Sequence, residues 1–263
     1  MNESTFFVAG DGARIGYQLD GEEGKPVLVL SNSIATTFHM WDGQVDEFAR
    51  HFRVLRYDFR GHGTSSSPPG AYSLDRLGRD VIELLDSLSI QRAHFTGLSL
   101  GGFVGQWLGI HAPDRIDRLI LSNTSSYLGP AGPFDERIEM VLKAPDMSET
   151  ADMFLGNWFP ARMVAARAQV VEEFRAMLMG IDRPGLAGLF AAVRDSDLRR
   201  TIALISRPTL VIAGEHDTVT VPSHSELIAA TVPGAKLITL PAVHLTNVEY
   251  PSEFAAHVLG FLH

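Results

Sequence analysis

The amino-acid sequence predicts an α/β fold: a mostly parallel eight-stranded sheet with helices on both faces and a helical cap inserted after the sixth strand. Eight short runs rich in β-forming residues recur along the 263 residues, and runs such as Val27–Leu30 and Leu210–Ala213 are continuously apolar. Such runs are typical of parallel strands that are buried on both faces. Helical patterns separate them, and one long helix-like segment lacks any strand signal.

The strand pattern begins with a hairpin and continues with parallel strands. Thr5–Val8 and Ala13–Gln18 flank Gly10-Asp11-Gly12, a turn signal that predicts an antiparallel pair. Helical patterns lie between the later runs, and the clearest begins after the capping residue Ser73. The later strand-like runs are Pro26–Ser31, Arg53–Asp58, Ala93–Gly97, Arg118–Ser122, Thr209–Ala213 and Lys236–Leu240.

A long segment without strand signals interrupts this alternation from about Leu128 to Leu198. It is rich in methionine and aromatic residues, and glycines and prolines divide it into several short helices. Because it follows the sixth strand, it is inserted over the C-terminal edge of the sheet, where ligands bind in open α/β folds. We therefore expect a core domain of residues 1–127 and 199–263 and a helical cap, or lid, of residues 128–198.

Composition limits the class of protein. A net charge of −9 without blocks of like charge disfavours nucleic acid and anionic membranes as partners. The absence of cysteine excludes disulfides, thiolate nucleophiles and cysteine-ligated metals. Met1–Ser4 lacks the start of a signal peptide, and no apolar run approaches the ~20 residues of a membrane span. We expect a soluble cytoplasmic protein.

The residues with the clearest chemical meaning follow the fifth predicted strand. Gly97-Leu98-Ser99-Leu100-Gly101-Gly102 joins a strand-like run to a helical pattern, with Ser99 at the apex and a glycine two positions to each side. So tight a turn strains the backbone at its apex and leaves no room for side chains beside it. This is the nucleophile elbow of α/β-hydrolases, and it predicts acyl transfer with Ser99 as the nucleophile.

A serine hydroxyl is a weak nucleophile, so it requires a base that an acid orients. In this fold the chain order is Ser, then Asp or Glu, then His. Asp217 lies in the loop after the strand Val211–Gly214, where the acid is expected, whereas the rival Glu215 follows that strand too closely. His244 alone among ten histidines lies in the loop after the last strand. We therefore expect Ser99, His244 and Asp217 to form a catalytic triad.

The oxyanion formed in acyl transfer requires two preorganised donors, which are usually backbone N–H groups. One is expected from Leu100, the residue after the nucleophile. The other is expected from the loop of residues 31–36, by analogy of position from Ile34, with Ser33 as the neighbouring alternative. No phosphate-binding glycine motif follows a strand, and a helix start accounts for the acidic residues near His39. The sequence therefore predicts neither a cofactor nor a metal site.

With these motifs the chain resembles the 3-oxoadipate enol-lactonases of the α/β-hydrolase superfamily, and the resemblance extends from about Phe6 to Phe261. The Asn32-Ser33-Ile34 segment carries most weight, because many other α/β-hydrolases have His-Gly there. A departure is Ala35, which stands where we associate glycine with this loop. The segments that match the family are Leu30–Ile34, Arg53–Gly63, the elbow, Asn157–Phe159 and His244–Asn247.

The resemblance implies a Ser99–His244–Asp217 triad that hydrolyses an enol-lactone from aromatic compound catabolism through an acyl-enzyme. It also implies Trp158 in the substrate pocket. The family substrate carries a free carboxylate, which a cap or pocket arginine should bind. The candidates for that role are Arg137, Arg162, Arg167 and Arg194.

Other functions use the same residues. A broad-specificity carboxylesterase, a lactonase for other rings and a C–C bond hydrolase of dienoate ring-cleavage products would share the triad. Ser99 argues against haloalkane dehalogenases and epoxide hydrolases, whose nucleophile is a carboxylate. A ligand receptor that only retains the fold would have no use for a complete triad. The expected partner is a small ester or lactone, and the sequence leaves the oligomeric state open.

Overall fold

The protein, described by a computed structural model over residues 5–263, contains the predicted sheet of eight strands. The strands are β1 Thr5–Val8, β2 Arg14–Asp20, β3 Val27–Ser31, β4 Arg53–Tyr57, β5 Ala93–Leu98, β6 Ile116–Ser122, β7 Thr209–Gly214 and β8 Lys236–Leu240. Their order across the sheet is β1-β2-β4-β3-β5-β6-β7-β8. Only the pairs β1–β2 and β2–β4 are antiparallel among these strands, which confirms the predicted hairpin and mostly parallel sheet. The expectation based on Met1–Ser4 lies outside the described residues.

Helices connect the strands and cover the sheet. They are α1 Asp42–Ala49, α2 Leu74–Ser87, α3 Leu100–His111, α4 Gly132–Lys143, α5 Ser148–Trp158, α6 Ala161–Ala165, α7 Gln169–Met179, α8 Arg183–Arg194, α9 Pro222–Thr231, α10 Thr246–Glu249 and α11 Pro251–Leu262. Short 3-10 helices span Phe38–Trp41, Pro113–Arg115 and Ile202–Leu204. No single helix in the described chain has both the length and the apolar character to cross a membrane; only α7 and α8 together, bent by 98°, reach that length and composition.

The local sequence accounts for these elements. The β3 residues Leu28, Val29 and Leu30 are fully buried, as expected for a strand that pairs on both sides and is covered on both faces. At the start of α2, the Ser73 hydroxyl accepts a hydrogen bond of 3.1 Å from the Arg76 N–H, which satisfies one of the free donors of the first turn. The buried apolar side chains of α2 recur at helical spacing and pack toward the sheet.

Five helices, α4 to α8, lie between β6 and β7, at the C-terminal end of the sheet strands. Helices α4, α5, α7 and α8 contribute to an aromatic cluster in which the rings of Phe154 and Phe190 stack with centroids 6.1 Å apart. The first turn of α8 also touches the turn after β4: a Cβ added to Gly61 would lie 2.3 Å from the Gly185 Cα. The inserted helices therefore pack both on one another and on the loops that end the strands.

Candidate active site

Ser99 lies at the junction of β5 and α3 in a strained conformation. Its φ of 58° and ψ of −114° place an L-residue in a region that such residues seldom occupy. The neighbouring glycines are required by space, because a Cβ on Gly97 would lie 2.1 Å from the Gly101 carbonyl oxygen and one on Gly101 would lie 2.3 Å from the Ser31 carbonyl oxygen. The strand and the helix thus meet closely enough to hold the serine at the C-terminal edge of the sheet.

The loops after β7 and β8 bring Asp217 and His244 together. The His244 Nδ1–H donates to Asp217 Oδ2 at 2.8 Å, and both side chains are buried. Asp217 Oδ1 accepts from the N–H groups of Val219 and Thr220, at 2.8 and 3.0 Å. Burial opposes ionisation, but the effect of His244 and hydrogen bonds from Asn123 and Thr220 outweigh it and lower the pKa of Asp217 to about 2. Asp217 is therefore an ionised partner for His244 at neutral pH.

Ser99 and His244 line one cavity of about 270 Å³. Within residues 5–263 the His244 ring is hydrogen-bonded to Asp217 and, at 3.5 Å, to Thr220, but not to the Ser99 hydroxyl. Such catalytic contacts are often long before substrate binds. Glu215, the rival acid, is exposed to solvent. The structure thus brings the three expected residues to one place without a direct bond between Ser99 and His244.

Most of the residues that line the cavity are apolar. The inserted helices contribute Trp158, which the resemblance implies in the substrate pocket, and its neighbour Asn157. The remaining lining residues are Ile34, Leu100, Phe103, Leu128, Phe134, Arg137, Met153, Phe154, Phe190, Val193, Thr218 and Val219. A larger and more open cavity of about 670 Å³ lies beside Thr37, His39 and Met177, away from the three expected residues. Chemistry rather than size therefore identifies the candidate site.

The loop after β3 presents three consecutive backbone N–H groups near this cavity. The Ser33 N–H donates to Met40 Sδ at 3.2 Å, and the Ala35 N–H donates to His62 Nε2 at 3.2 Å. No acceptor for the intervening Ile34 N–H is found between Thr5 and His263. Ile34 also lines the cavity together with Leu100, the first residue of α3. Of the two alternatives, Ile34 rather than Ser33 has its N–H available for a ligand.

The four candidate arginines differ in their surroundings. Arg137 lines the cavity, and no carboxylate of the described chain lies within ion-pair distance of it. Its guanidinium lies over the Phe134 ring, 5.1 Å from the centroid. The others have acidic partners: Arg162 is 3.9 Å from Glu249, Arg167 is 3.0 Å from Glu172 and Arg194 is 2.7 Å from Asp135. Arg137 is thus the candidate that faces the same space as Ser99.

Asn123 belongs to this site and was missed by sequence reasoning. It directly follows β6 with a φ of 43°, which Asn tolerates better than most residues. Its amide donates to Asp217 Oδ2 at 3.0 Å and to the Val243 carbonyl oxygen at 3.2 Å. The one signal in the sequence is an asparagine directly after a buried strand. Its amide joins the loops that carry Asp217 and His244.

Replacing Asn123 by aspartate is expected to lower kcat about 10- to 100-fold, the effect of losing a hydrogen bond to a charged group. The variant puts a second carboxylate beside Asp217 and the Val243 carbonyl, and like charges so close cannot both ionise. Steady-state kinetics across pH should show a loss that grows as the pH rises. Asn123→Gly, which also tolerates the positive φ, removes the bond without adding charge and should be less impaired. Equal kcat in N123D and the wild type would contradict this account.

Residues 5–263 contain no group of three or more His, Asp or Glu side chains arranged to hold a metal ion. The polar groups around the cavity are a hydrogen-bonded His–Asp pair, a nearby serine and the backbone N–H groups of Ile34 and Leu100, for which no acceptor is found in the described part of the chain. These are the components that nucleophilic acyl transfer requires: a nucleophile, an oriented base and donors for the oxyanion.

Comparisons with known proteins identify the family of the chain. A family profile for the alpha/beta hydrolase fold matches residues 26–172, more than half of the chain. The 3-oxoadipate enol-lactonase 2 of Acinetobacter baylyi is 36% identical over 240 residues, which cover 91% of this chain and 90% of that protein.

Solved structures of other proteins have the same fold over nearly the whole chain. A hydrolase from Pseudomonas aeruginosa PA01 is 64% identical, with a TM-score of 0.98 and coverage of 99% of this chain and 98% of that one. The enol-lactonase from Burkholderia xenovorans LB400 is 36% identical, with a TM-score of 0.95 and coverage of 98% and 99%. The chain belongs to the α/β-hydrolase family, as a carboxylic ester hydrolase that resembles the 3-oxoadipate enol-lactonases.

Proposed function

We propose that the protein is a serine hydrolase that opens a small anionic lactone, 3-oxoadipate enol-lactone or a close relative, in aromatic compound catabolism. The observation that carries the proposal is the cavity in which Ser99 and His244 share one space with Arg137. An ester carbonyl at Ser99 and a carboxylate at Arg137 would occupy two ends of that space. The relatives named as enol-lactonases support the same substrate class.

In the proposed mechanism His244 removes the Ser99 proton as the serine oxygen attacks the lactone carbonyl. The N–H groups of Leu100 and Ile34 stabilise the oxyanion, and Asp217 holds the imidazole in the tautomer that accepts this proton. The tetrahedral intermediate then collapses and breaks the ring C–O bond, and His244 protonates the leaving enol oxygen. Water, deprotonated by His244, then attacks the acyl carbonyl. The second tetrahedral intermediate collapses and breaks the bond to Ser99, the acid product leaves, and His244 returns the proton to the serine oxygen.

Residues 128–198 are proposed as the cap over a core of residues 1–127 and 199–263. The cavity supports this division, because its catalytic wall comes from strand ends and its opposite wall, with Phe154 and Trp158, comes from the inserted helices. A cap that excludes water strengthens the electrostatic contacts inside the cavity. The apolar side chains fit the ring of a small lactone, and Arg137 is the one arginine or lysine among the lining residues in the described range 5–263.

Replacing Arg137 by glutamine is expected to lower kcat/KM for 3-oxoadipate enol-lactone about 10- to 100-fold, the contribution of a charge-assisted hydrogen bond. The expected change is mainly in KM, since a carboxylate remote from the reacting carbonyl is bound equally in the ground and transition states. The kinetics of the wild type and the variant should be compared on this lactone and on a neutral lactone of similar size.

Turnover of the neutral lactone should be unchanged in R137Q, because that substrate has no carboxylate to bind. Arg162→Gln is the matched control, since Arg162 is exposed and 3.9 Å from Glu249. The second candidate function, a broad-specificity carboxylesterase, is favoured by the aromatic and aliphatic side chains that make up most of the lining residues. A wild-type preference for the neutral lactone and p-nitrophenyl esters, with no effect of R137Q on either lactone, would replace the first function by the second.

A further inference from the structure

His62 is buried in the turn that follows β4 and is not among the residues that line the candidate site. His62 is only 1% exposed to solvent, and its two ring nitrogens have different partners. Nδ1 lies 3.1 Å from the Arg60 carbonyl oxygen, which can only accept, so Nδ1 carries the proton. Nε2 is then unprotonated and accepts the Ala35 N–H at 3.2 Å. The two partners therefore fix one neutral tautomer of the ring.

The surroundings of His62 keep it neutral. Burial lowers the pKa of His62 to about 4, against the smaller opposing effects of the Arg60 carbonyl and the Asp182 carboxylate. The turn is also held from outside, because Gly61 is in direct backbone contact with Gly185 at the start of α8. A neutral ring in a fixed place is a dependable acceptor at neutral pH.

The acceptor matters because Ala35 has an unfavourable conformation. Its φ of 61° costs an L-residue about 1–2 kcal/mol, so the loop needs contacts that hold it there. This backbone turn lets the Thr36 hydroxyl reach back and donate to the Ser33 carbonyl oxygen at 2.8 Å. The Ser33 C=O and the Ile34 N–H belong to one planar peptide unit and point in opposite directions. Holding that carbonyl therefore orients the Ile34 N–H.

We propose that His62 is a positioning residue of the oxyanion hole: its Nε2 accepts the Ala35 N–H and thereby holds the loop in which the Ile34 N–H is aimed at the reacting carbonyl. This inference rests on the proposed function, in which Ile34 stabilises the oxyanion. His62 touches no substrate and transfers no proton. It acts through the Ala35 amide, and its contribution appears as charge develops on the carbonyl oxygen in the transition state.

His62→Leu removes the acceptor, whereas Gln places an amide oxygen near the position of Nε2. H62L is expected to lower kcat for p-nitrophenyl acetate about 10- to 100-fold, somewhat less than loss of a whole oxyanion donor, with KM nearly unchanged. The inhibition constant of a trifluoromethyl ketone, whose adduct carries the oxyanion, should rise by the same factor. H62Q should recover most of the kcat. His94→Leu is the control, because His94 lies on β5 outside the cavity lining.

A purely structural role would lower the melting temperature without changing kcat per folded molecule or the inhibition constant, and that result would overturn the inference. The wild-type enzyme provides a second measurement should H62L fail to fold. Its ¹⁵N NMR spectrum should show His62 protonated at Nδ1 only, with slow hydrogen exchange at the Ala35 amide. An Nε2-protonated ring or rapid exchange at Ala35 would also overturn it.

The two proposals fail in different ways. A wild-type enzyme without ester or lactone turnover, or with turnover that survives Ser99→Ala, would contradict the proposed function and the role of His62 together. A wild type whose turnover depends on Ser99 but whose kcat is unaffected by H62L would contradict the role of His62 alone.

Discussion

Ser99→Ala is expected to lower kcat by about 10⁴-fold or more, the loss seen when a triad nucleophile is removed. Ser99 lies at the strained junction of β5 and α3 and lines the cavity with His244. Alanine fits the same backbone and removes only the oxygen that would form the acyl-enzyme. Steady-state kinetics on p-nitrophenyl acetate and on 3-oxoadipate enol-lactone should both show the loss, whichever ester is the physiological substrate.

Covalent labelling tests the same residue independently of turnover. A fluorophosphonate should add one adduct to the wild-type enzyme, on the peptide that contains Ser99, and none to S99A. Ser225→Ala is a matched control, because Ser225 is also buried and its hydroxyl has no hydrogen-bond partner within residues 5–263. S99A should retain the wild-type melting temperature, because the Ser99 Oγ of the wild-type protein is not hydrogen-bonded to His244. An S99A variant with kcat within tenfold of the wild type would exclude Ser99 as the nucleophile.

The parts of this site that the sequence predicts are those that depend on local pattern and chain order. All eight strands were expected close to their observed bounds, because apolar runs such as Leu210–Ala213 are buried on both faces. Asp217 and His244 follow β7 and β8, and the topology of the sheet brings the ends of neighbouring parallel strands together. The order of residues along the chain is therefore sufficient to predict that Asp217 and His244 lie side by side.

The parts that the sequence does not predict depend on contacts between distant segments. Asn123 reaches Asp217 only because β6 and β7 are neighbours and because its φ of 43° turns the side chain toward the next loop. The choice of Arg137 over Arg194 depends on which face of each helix turns toward the cavity. Helical spacing alone does not show which of these two half-buried arginines faces the cavity.

The same limit applies to the loop after β3. Its departure from the family pattern, Ala35, is an L-residue at a φ of 61° where glycine would be free of strain. The sequence marks the position but not the contact that holds it, because His62 lies 27 residues further along the chain. Tertiary contacts therefore decide the orientation of a backbone donor that local sequence leaves undetermined.

Asp217→Asn is expected to lower kcat by about 10⁴-fold, as loss of the carboxylate does in serine proteases with this triad. Asp217 accepts the His244 Nδ1–H at 2.8 Å and is surrounded by further donors, including the N–H groups of Val219 and Thr220. An amide offers one acceptor in place of two and puts its own N–H groups against those donors. The imidazole then loses the partner that fixes its tautomer and stabilises its positive charge.

Stability should depend on pH in a way that identifies the same carboxylate. The pKa of Asp217 is lowered from 3.8 to about 2, so the ionised group stabilises the fold fully above the unfolded value, and this contribution is lost as the pH falls toward 2. Thermal unfolding should therefore show D217N less stable than the wild type at neutral pH, with a difference that shrinks below a pH of about 3.8. Glu215→Gln, at the exposed rival position, is the control and should match the wild type in kcat and in stability. Loss of activity in E215Q with retention in D217N would reassign the acid to Glu215. A stability difference that stays constant across this pH range would contradict the conclusion that Asp217 is ionised in the folded protein.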